Sequence, residues 1–243
     1  MRIGVYSPNW IGDSVIAIPF IQTLRDHNPG AEIIIVCKDW VSGVYENHPA
    51  VTEVLPLSRS QLTGIMNVFK TGTDLKKYDF DKFFTLTDSF RSAFVLWSSK
   101  AKRRYGYAGQ MRSIFLTDSI SMPKKIMHRS EKYLGLGGFD LEVLGKPKIH
   151  LSNSEIRWAS QEMDELGLKR PVALFPFSVG TNRTIPNKIL KGWIKHSDAD
   201  HIVFGSTNDM DSAEKLVGLC DEVSIRSVCG NYSLRESIAL IST

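Results

Sequence analysis

Only three cysteines, Cys37, Cys220 and Cys229, occur among 243 residues. They are too few and too scattered for a disulfide framework or a zinc site, and a reducing compartment is the expectation. No basic-then-apolar leader precedes the first strand, so no signal peptide is expected. No apolar run approaches the roughly 20 residues that span a bilayer. The chain is therefore expected in the cytoplasm, touching any membrane only at its surface. No Gly-x-Gly-x-x-Gly follows a strand, which argues against a dinucleotide-dependent Rossmann enzyme. The six histidines have no metal-ligand spacing, and no exposed nucleophile elbow supports a Ser–His–Asp or Cys–His site.

What is present is an ordinary globular composition, 42% hydrophobic with a formal charge of +4, long enough for one large domain or two small ones. The net charge hides an asymmetry. From Arg91 to Arg129 nine Lys or Arg residues face a single acid, Asp118. Such clustering implies an anionic partner (phosphate, nucleic acid or a lipid surface) or else a solvated basic face. The Arg103-Arg104-Tyr105-Gly106-Tyr107 stretch has a composition that suits nucleic acid, but no RNA-binding motif surrounds it.

The opening residues are the most organised. Arg2-Ile3-Gly4-Val5-Tyr6 reads as a strand, followed by the loop Pro8-Asn9-Trp10-Ile11-Gly12-Asp13 and a helix. Loops at the carboxyl ends of parallel strands are where open α/β sheets bind ligands. Asp13, near a helix start, is either a capping carboxylate or a general base at the mouth of a cleft. From these six residues alone both readings stand.

Strands and helices then alternate. Helices are expected over 13–26, kinked at Pro19, and over 39–46, 60–77, 89–99 and 129–137, the last able to run on towards Leu144. Strands are expected over 32–37, 52–55 ahead of Pro56, 80–86, 104–107 and 114–116. The rhythm predicts parallel βαβ units and a doubly wound first half. Gly145-Lys146-Pro147 marks a boundary. A helix over 154–166, with Ser154 as N-cap and Gly167 as C-cap, opens a second α/β series. Its strands are expected over 172–175, 201–204 and 223–228, and its helices over 187–195, 209–219 and 234–241. Three strands are fewer than doubly wound sheets usually carry, and the final helix has nothing after it to cover the sheet. The chain reads as truncated.

Two loops of the second half mirror the first. Pro176-Phe177-Ser178-Val179-Gly180-Thr181-Asn182-Arg183 combines small polar residues with a cation whose fork suits a diphosphate. Phe204-Gly205-Ser206-Thr207-Asn208-Asp209 combines a glycine that admits a ligand to the backbone with Asp209, which is either a ribose acceptor or an N-cap. Backbone N–H groups at such helix starts are anion sites.

These motifs resemble a known family. The first strand with its Gly12-Asp13 loop, Thr87-Asp88-Ser89-Phe90-Arg91-Ser92-Ala93, Arg104-Tyr105-Gly106-Tyr107 through Arg112, His128-Arg129 with Tyr133-Leu134, Phe204-Gly205-Ser206 and Val228-Cys229-Gly230 are similar to segments of the ADP-heptose:lipopolysaccharide heptosyltransferases. This is glycosyltransferase family 9, and the resemblance is greatest to its heptosyltransferase II branch. It implies an α/β fold of GT-B type, with two Rossmann-like doubly wound domains facing each other across a cleft. Residues 1–150 would form the acceptor side, and 151–243 a partial nucleotide-sugar domain.

The implied reaction is metal-independent and inverting. It moves heptose from ADP-L-glycero-D-manno-heptose to the heptosyl-Kdo inner core, at the inner-membrane surface and without nucleic acid. By position Asp13 matches the general base; Gly12, Ser178, Arg183, Gly205 and Asp209 would serve the donor; Arg91, Arg103, Arg104, Arg112 and Arg129 would face the acceptor. Two departures stand out. Arg183-Thr184-Ile185-Pro186 occupies a Lys-x-Trp-Pro pattern, an exchange that is not neutral. The family's Asn-Asp-Ser-Gly-x-x-His donor motif would begin where this chain stops. The alternative is a catalytically weak paralogue that binds lipopolysaccharide precursors.

Overall fold

Strand β2 (Glu32–Lys38) explains where the first sheet has its centre. Five consecutive apolar residues, Ile33 to Cys37, are all buried, as in a parallel strand covered on both faces. The computed structural model describes residues 1–140, 145–180, 183–220 and 223–243. The chain divides into two compact units, Met1–His150 and Leu151–Thr243.

In the first unit β1 (Arg2–Tyr6), β2, β3 (Glu53–Leu57), β4 (Lys82–Thr85), β5 (Arg103–Tyr107) and β6 (Asp118–Ile120) form one parallel sheet in the order β3-β2-β1-β4-β5-β6. This is the doubly wound order of dinucleotide folds, reached here without their glycine fingerprint. Strand β3 runs through Pro56, which pairs with Cys37, rather than stopping before it. Proline lacks an N–H, and an edge strand has one side on which none is needed. The strand expected over 114–116 is instead a 3-10 turn, Arg112–Phe115, and the pairing falls to Asp118–Ile120.

The helices also differ in detail. The helix expected over 13–26 is two, α1 (Ile11–Ile16) and α2 (Ile18–His27), broken at Ala17 with Pro19 in the first turn of α2. Proline needs no donor there, so a break costs less than a kink. The 39–46 helix is a 3-10 turn, Asp39–Val44. The 60–77 helix reduces to α3 (Ile65–Asp74), because Gly64 at φ 79° reverses the chain ahead of it. α4 (Phe90–Ser98) and α5 (Arg129–Gly137) fall where expected, and Gly138 at φ 69° ends α5. The suggested run-on towards Leu144 is not helical over residues 138–140, and 141–144 lie outside the described residues.

The second unit has β7 (Val172–Leu174), β8 (His201–Val203) and β9 (Ile225–Ser227) in parallel order β7-β8-β9. α6 (Asn153–Glu165) is capped by Ser152, not Ser154: the Ser152 hydroxyl accepts from Glu155 N, and Glu155 reaches back to Ser152 N. α7 (Asn187–Ile194), α8 (Met210–Gly218) and α9 (Leu234–Ser242) complete it. Val203 packs with Leu190 and Leu216 on one face of the sheet; Ile202 packs with Met163 and Leu240 on the other. α9 packs on α6 and buries Ala239 and Leu240. The expected α/β class with parallel sheets holds in both units; the doubly wound strand order is present in the first, and the second has three strands in sequential order among the described residues.

Candidate functional site

Strands β1 and β4 are neighbours at the centre of the first sheet, and their connections leave in opposite directions. That is the switch point at which such sheets open a crevice outside their carboxyl ends. The loop after β1 is fixed there from within. Ser7 Oγ lies 2.5 Å from Tyr45 Oη, and Ser14 Oγ donates to the Pro8 carbonyl at 3.3 Å, all buried. Burial and two serine hydroxyls thus hold the loop from below and leave its outer side free.

Asp13 stands on that outer side, in the first turn of α1. It caps nothing: the N-cap position is Trp10, which provides no side-chain hydrogen bond. Its Oδ2 accepts instead from Arg129 Nη1 at 3.0 Å. Arg129 is the first residue of α5, where a cation opposes the helix dipole. Its direction is set by a capping box in which His128 N donates to Glu131 at 2.8 Å and the His128 ring accepts from Ser130 N. His128, within the basic stretch, is therefore a cap. Burial disfavours the Arg129 cation, but the Tyr133 hydroxyl, Asp13 and Asp88 together raise its pKa. Tyr133 lines the same small cavity as Asp88 and Arg129. Burial pushes its phenol up to about 12, against the pull of Arg129.

Residues 88–91 stand between two spaces. Asp88 faces the small cavity, whereas Ser89, Phe90 and Arg91 line a cleft of about 760 Å³. That volume is within the range of ligand pockets. The cleft holds three cations, Lys38, Arg59 and Arg91, and no carboxylate among its lining residues. Burial is the main cause that lowers the Lys38 pKa; Arg91 and Arg59 lower it further, and Asp39 offsets part. Cations close enough to repel one another form a site for a multiply charged anion. Trp40 supplies a wall, with its indole donating to the Asn9 carbonyl at 2.9 Å and Lys38 Nζ 4.6 Å above the ring.

The five arginines expected at the acceptor separate. Arg129 and Arg91 are at the carboxyl edge of the sheet. Arg112 is corrected: at 1% exposure it is a buried strut. It donates to Tyr107 O at 2.6 Å, to Thr87 O and to Asp88 Oδ1 at 2.9 Å, and so ties the loops after β4 and β5 together. Arg103 and Arg104 are corrected as well. They begin β5, about 10–13 Å of strand from its carboxyl end at Tyr107. Arg103 pairs with Asp118, and Arg104 donates to the carbonyls of Phe115 and Ala101 at 2.7 Å each. Both hold the amino edge of the sheet.

Of the donor residues, Gly12 has no atom within 4 Å of the position a Cβ would take, so the start of α1 is open. Ser178, Arg183, Gly205 and Asp209 follow β7 and β8 in the second unit. Ser178 Oγ accepts from Gly180 N at 3.4 Å, and Arg183 is exposed with its backbone N–H on Gly180 O at 2.8 Å. Thr181 and Asn182 of the same loop lie outside the described residues. Gly205 is exposed, and a Cβ there would meet Cys229 Sγ at 2.8 Å and Asp209 Cβ at 3.0 Å, so packing within the second unit by itself requires the glycine. Asp209 Oδ2 accepts from Ser206 N and Oγ at 2.8 and 2.7 Å, closing a capping box that Ser206 begins.

Lys38, Arg59, Trp40, Asp88 and Tyr133 belong to the site without having been assigned a role from sequence. Lys38 ends β2 and Asp88 follows β4, so a carboxyl-end position was the available signal for those two. Nothing local marks Arg59, and Tyr133 was marked only as part of the Tyr133-Leu134 segment that carries the family resemblance. Among the described residues no cluster of His, Cys, Asp and Glu could hold a metal ion.

Residues 68–243 match glycosyltransferase family 9 (heptosyltransferase). The chain is 23% identical over 265 aligned positions to lipopolysaccharide heptosyltransferase 2 of Escherichia coli K12, covering 100% of this chain and 75% of that protein. The fold is similar to that of E. coli ADP-heptose LPS heptosyltransferase II, with a TM-score of 0.83, 22% identity, and coverage of 100% of this chain and 76% of that one. It is also similar to a family 9 glycosyltransferase of Veillonella parvula, with a TM-score of 0.86, 18% identity, and coverage of 98% and 72%.

Proposed function

Because the chain belongs to glycosyltransferase family 9, the heptosyltransferases, and is a glycosyltransferase of GT-B fold, we propose that it transfers heptose from ADP-heptose to a heptosyl-Kdo lipid A acceptor. The observation that carries this reading is the Asp13–Arg129 pair at the same sheet edge as a cleft whose lining has three cations and no acid. An inner-core acceptor carries carboxylates and phosphates, the chemistry such a cleft attracts. In this reading the first unit serves the acceptor and the second the donor.

Asp13 accepts the proton of the attacking acceptor hydroxyl. The new bond forms between that oxygen and the anomeric carbon, the carbon–phosphate oxygen bond breaks, and ADP leaves from the opposite face with inversion. The Arg129 guanidinium holds the carboxylate in place through one oxygen, Oδ2, and leaves Oδ1 for the incoming hydroxyl. In the second unit Arg183 and the loop around Ser178 stabilise the departing diphosphate; a guanidinium fork serves that purpose where the family pattern has lysine. The reaction is expected to need no metal and to take place at the cytoplasmic face of the inner membrane.

The test is ADP release on mixing the protein with ADP-heptose and heptosyl-Kdo lipid A. Release by wild type and its loss in Asp13→Asn supports the assignment; equal release from both removes Asp13 as the base. Wild type that binds the acceptor without releasing ADP would favour the alternative, a binding module for lipopolysaccharide precursors.

A further inference from the structure

The first unit carries an apolar surface that its sheet does not use. α3 turns Val68, Thr71 and Gly72 inward, yet Ile65, Met66 and Phe69 point outward at 64, 74 and 41% exposure. Phe69 is not isolated. Its ring lies 6.1 Å from Phe94 of α4, which contacts Trp97 at 5.6 Å and Phe115 at 5.3 Å. Phe90, which also lines the cationic cleft, lies 5.0 Å from Phe115. The apolar face is thus continuous with the mouth of the cleft. Exposed apolar surface of this kind on a folded chain marks an interaction site.

Charge identifies the partner. The two segments that build this face, residues 54–73 and 89–117, contain no Asp or Glu. Arg59, Lys70, Arg91 and Lys100 lie along them and make no ion pair among the described residues. Lys100 sits 5.1 Å over the Trp97 ring, at the rim of the ring cluster. Aliphatic and aromatic side chains bordered by cations suit the headgroup region of an anionic bilayer. A second copy of the chain would bring the same cations face to face, which disfavours it.

We propose that the face of Ile65, Met66 and Phe69, joined to the ring cluster of α4, docks the chain on an anionic lipid bilayer. The mouth of the cleft then opens at the membrane surface, where a lipid-anchored acceptor presents its sugars. This last step rests on the acceptor proposed above, whereas the docking itself does not.

The experiment is sedimentation of the full chain with sucrose-loaded vesicles, of pure phosphatidylcholine or with about a quarter phosphatidylglycerol. Wild type is expected to pellet with the anionic vesicles about fivefold or more over the neutral ones. The uncharged variant I65S/M66S is expected to lose about fivefold or more of that binding, because both the apolar anchor and the cations are needed. The single variant Met66→Asp, at a site open to solvent, repeats the loss if the double variant melts early. Both variants keep transfer to a water-soluble deacylated acceptor. Vesicle binding equal to wild type in both variants would overturn the proposal, as would no preference for anionic lipid. A wild-type dimer that I65S/M66S dissolves, without vesicle binding, would give the face to a second copy and overturn it as well. Vesicle binding without transfer to the soluble acceptor would leave docking in place and remove the acceptor assignment instead.

Discussion

Arg129 Nη1 lies 3.0 Å from Asp13 Oδ2, joining the first turn of α1 to the first turn of α5 across 116 positions of sequence. Among the described residues the second carboxylate oxygen of Asp13 has no hydrogen-bond partner. An oriented carboxylate with one free oxygen is the geometry that proton abstraction requires.

Asp13→Asn is expected to lower kcat about 100-fold or more while leaving the acceptor KM within about threefold, since a positioned base contributes to the transition state. Arg129→Gln removes only the orienting bond and is expected to lower kcat by about tenfold. Steady-state ADP release at varied acceptor measures both.

The cleft cations are expected to act on binding. Arg91→Ala or Lys38→Ala should raise the acceptor KM about tenfold, with the ADP-heptose KM unchanged. Wild-type KM should rise with salt more steeply than that of the variants, because each removed cation removes a screened attraction. Kinetics at two ionic strengths decide this; a change confined to the donor KM would place the cleft on the other substrate.

Arg112→Ala is expected to destabilise the chain by about 2–4 kcal/mol, measured by urea unfolding, because it leaves two carbonyls and Asp88 without their buried donor. Lysine does not restore the loss, since one ammonium cannot reproduce three fork-directed bonds.

Gly72→Ala is expected to cost about 1–3 kcal/mol by overpacking. A Cβ there would come 2.4 Å from Ser98 Cβ and 2.8 Å from Val95 O on the facing helix α4, and backbone cannot move aside as a flexible side chain would. Thermal unfolding of the single variant measures it.

The second unit should weaken in acid. Arg235 donates to Glu155 at 2.6 and 2.7 Å and, with Ser152, lowers its carboxyl to about 2. A carboxylate depressed in the folded state contributes stability above the unfolded pKa, near 4.5, and loses it as pH falls towards 2. The contribution at neutral pH is about 3 kcal/mol at most. Glu155→Gln should flatten the stability profile across that window in a pH series of unfolding curves; an unchanged slope would remove the pair as its source.

Much of this architecture was legible in local pattern. The β-branched run of β2, the Gly145-Lys146-Pro147 break and the strand–loop–helix start of β1 and α1 depend on residues close in sequence. Local reading failed where two solutions satisfy the same pattern. Residues 114–116 are as apolar as a strand, but the ladder to β5 is taken by Asp118–Ile120. Asp209 was read as either a ribose acceptor or the N-cap of the helix after it, whereas its carboxylate reaches back to Ser206 as the third residue of a capping box, a pairing that the local pattern did not indicate.

The sequence by itself determined the α/β alternation, the loop that presents Asp13 and the concentration of positive charge between residues 91 and 129, because hydrophobic period, turn residues and charge are properties of short windows. It did not distinguish Arg91, Arg103, Arg104, Arg112 and Arg129 from one another. Tertiary structure did. Setting β4 beside β1 put Arg91 in the cleft and Arg112 beneath the Asp88 loop, left Arg103 and Arg104 at the opposite edge, and let α5 carry Arg129 to Asp13. A guanidinium in water, in the core or beside a carboxylate is the same residue in the chain. Burial and the neighbour it meets, both set by strand order, make it a wall of the cleft, a strut or the partner of a carboxylate.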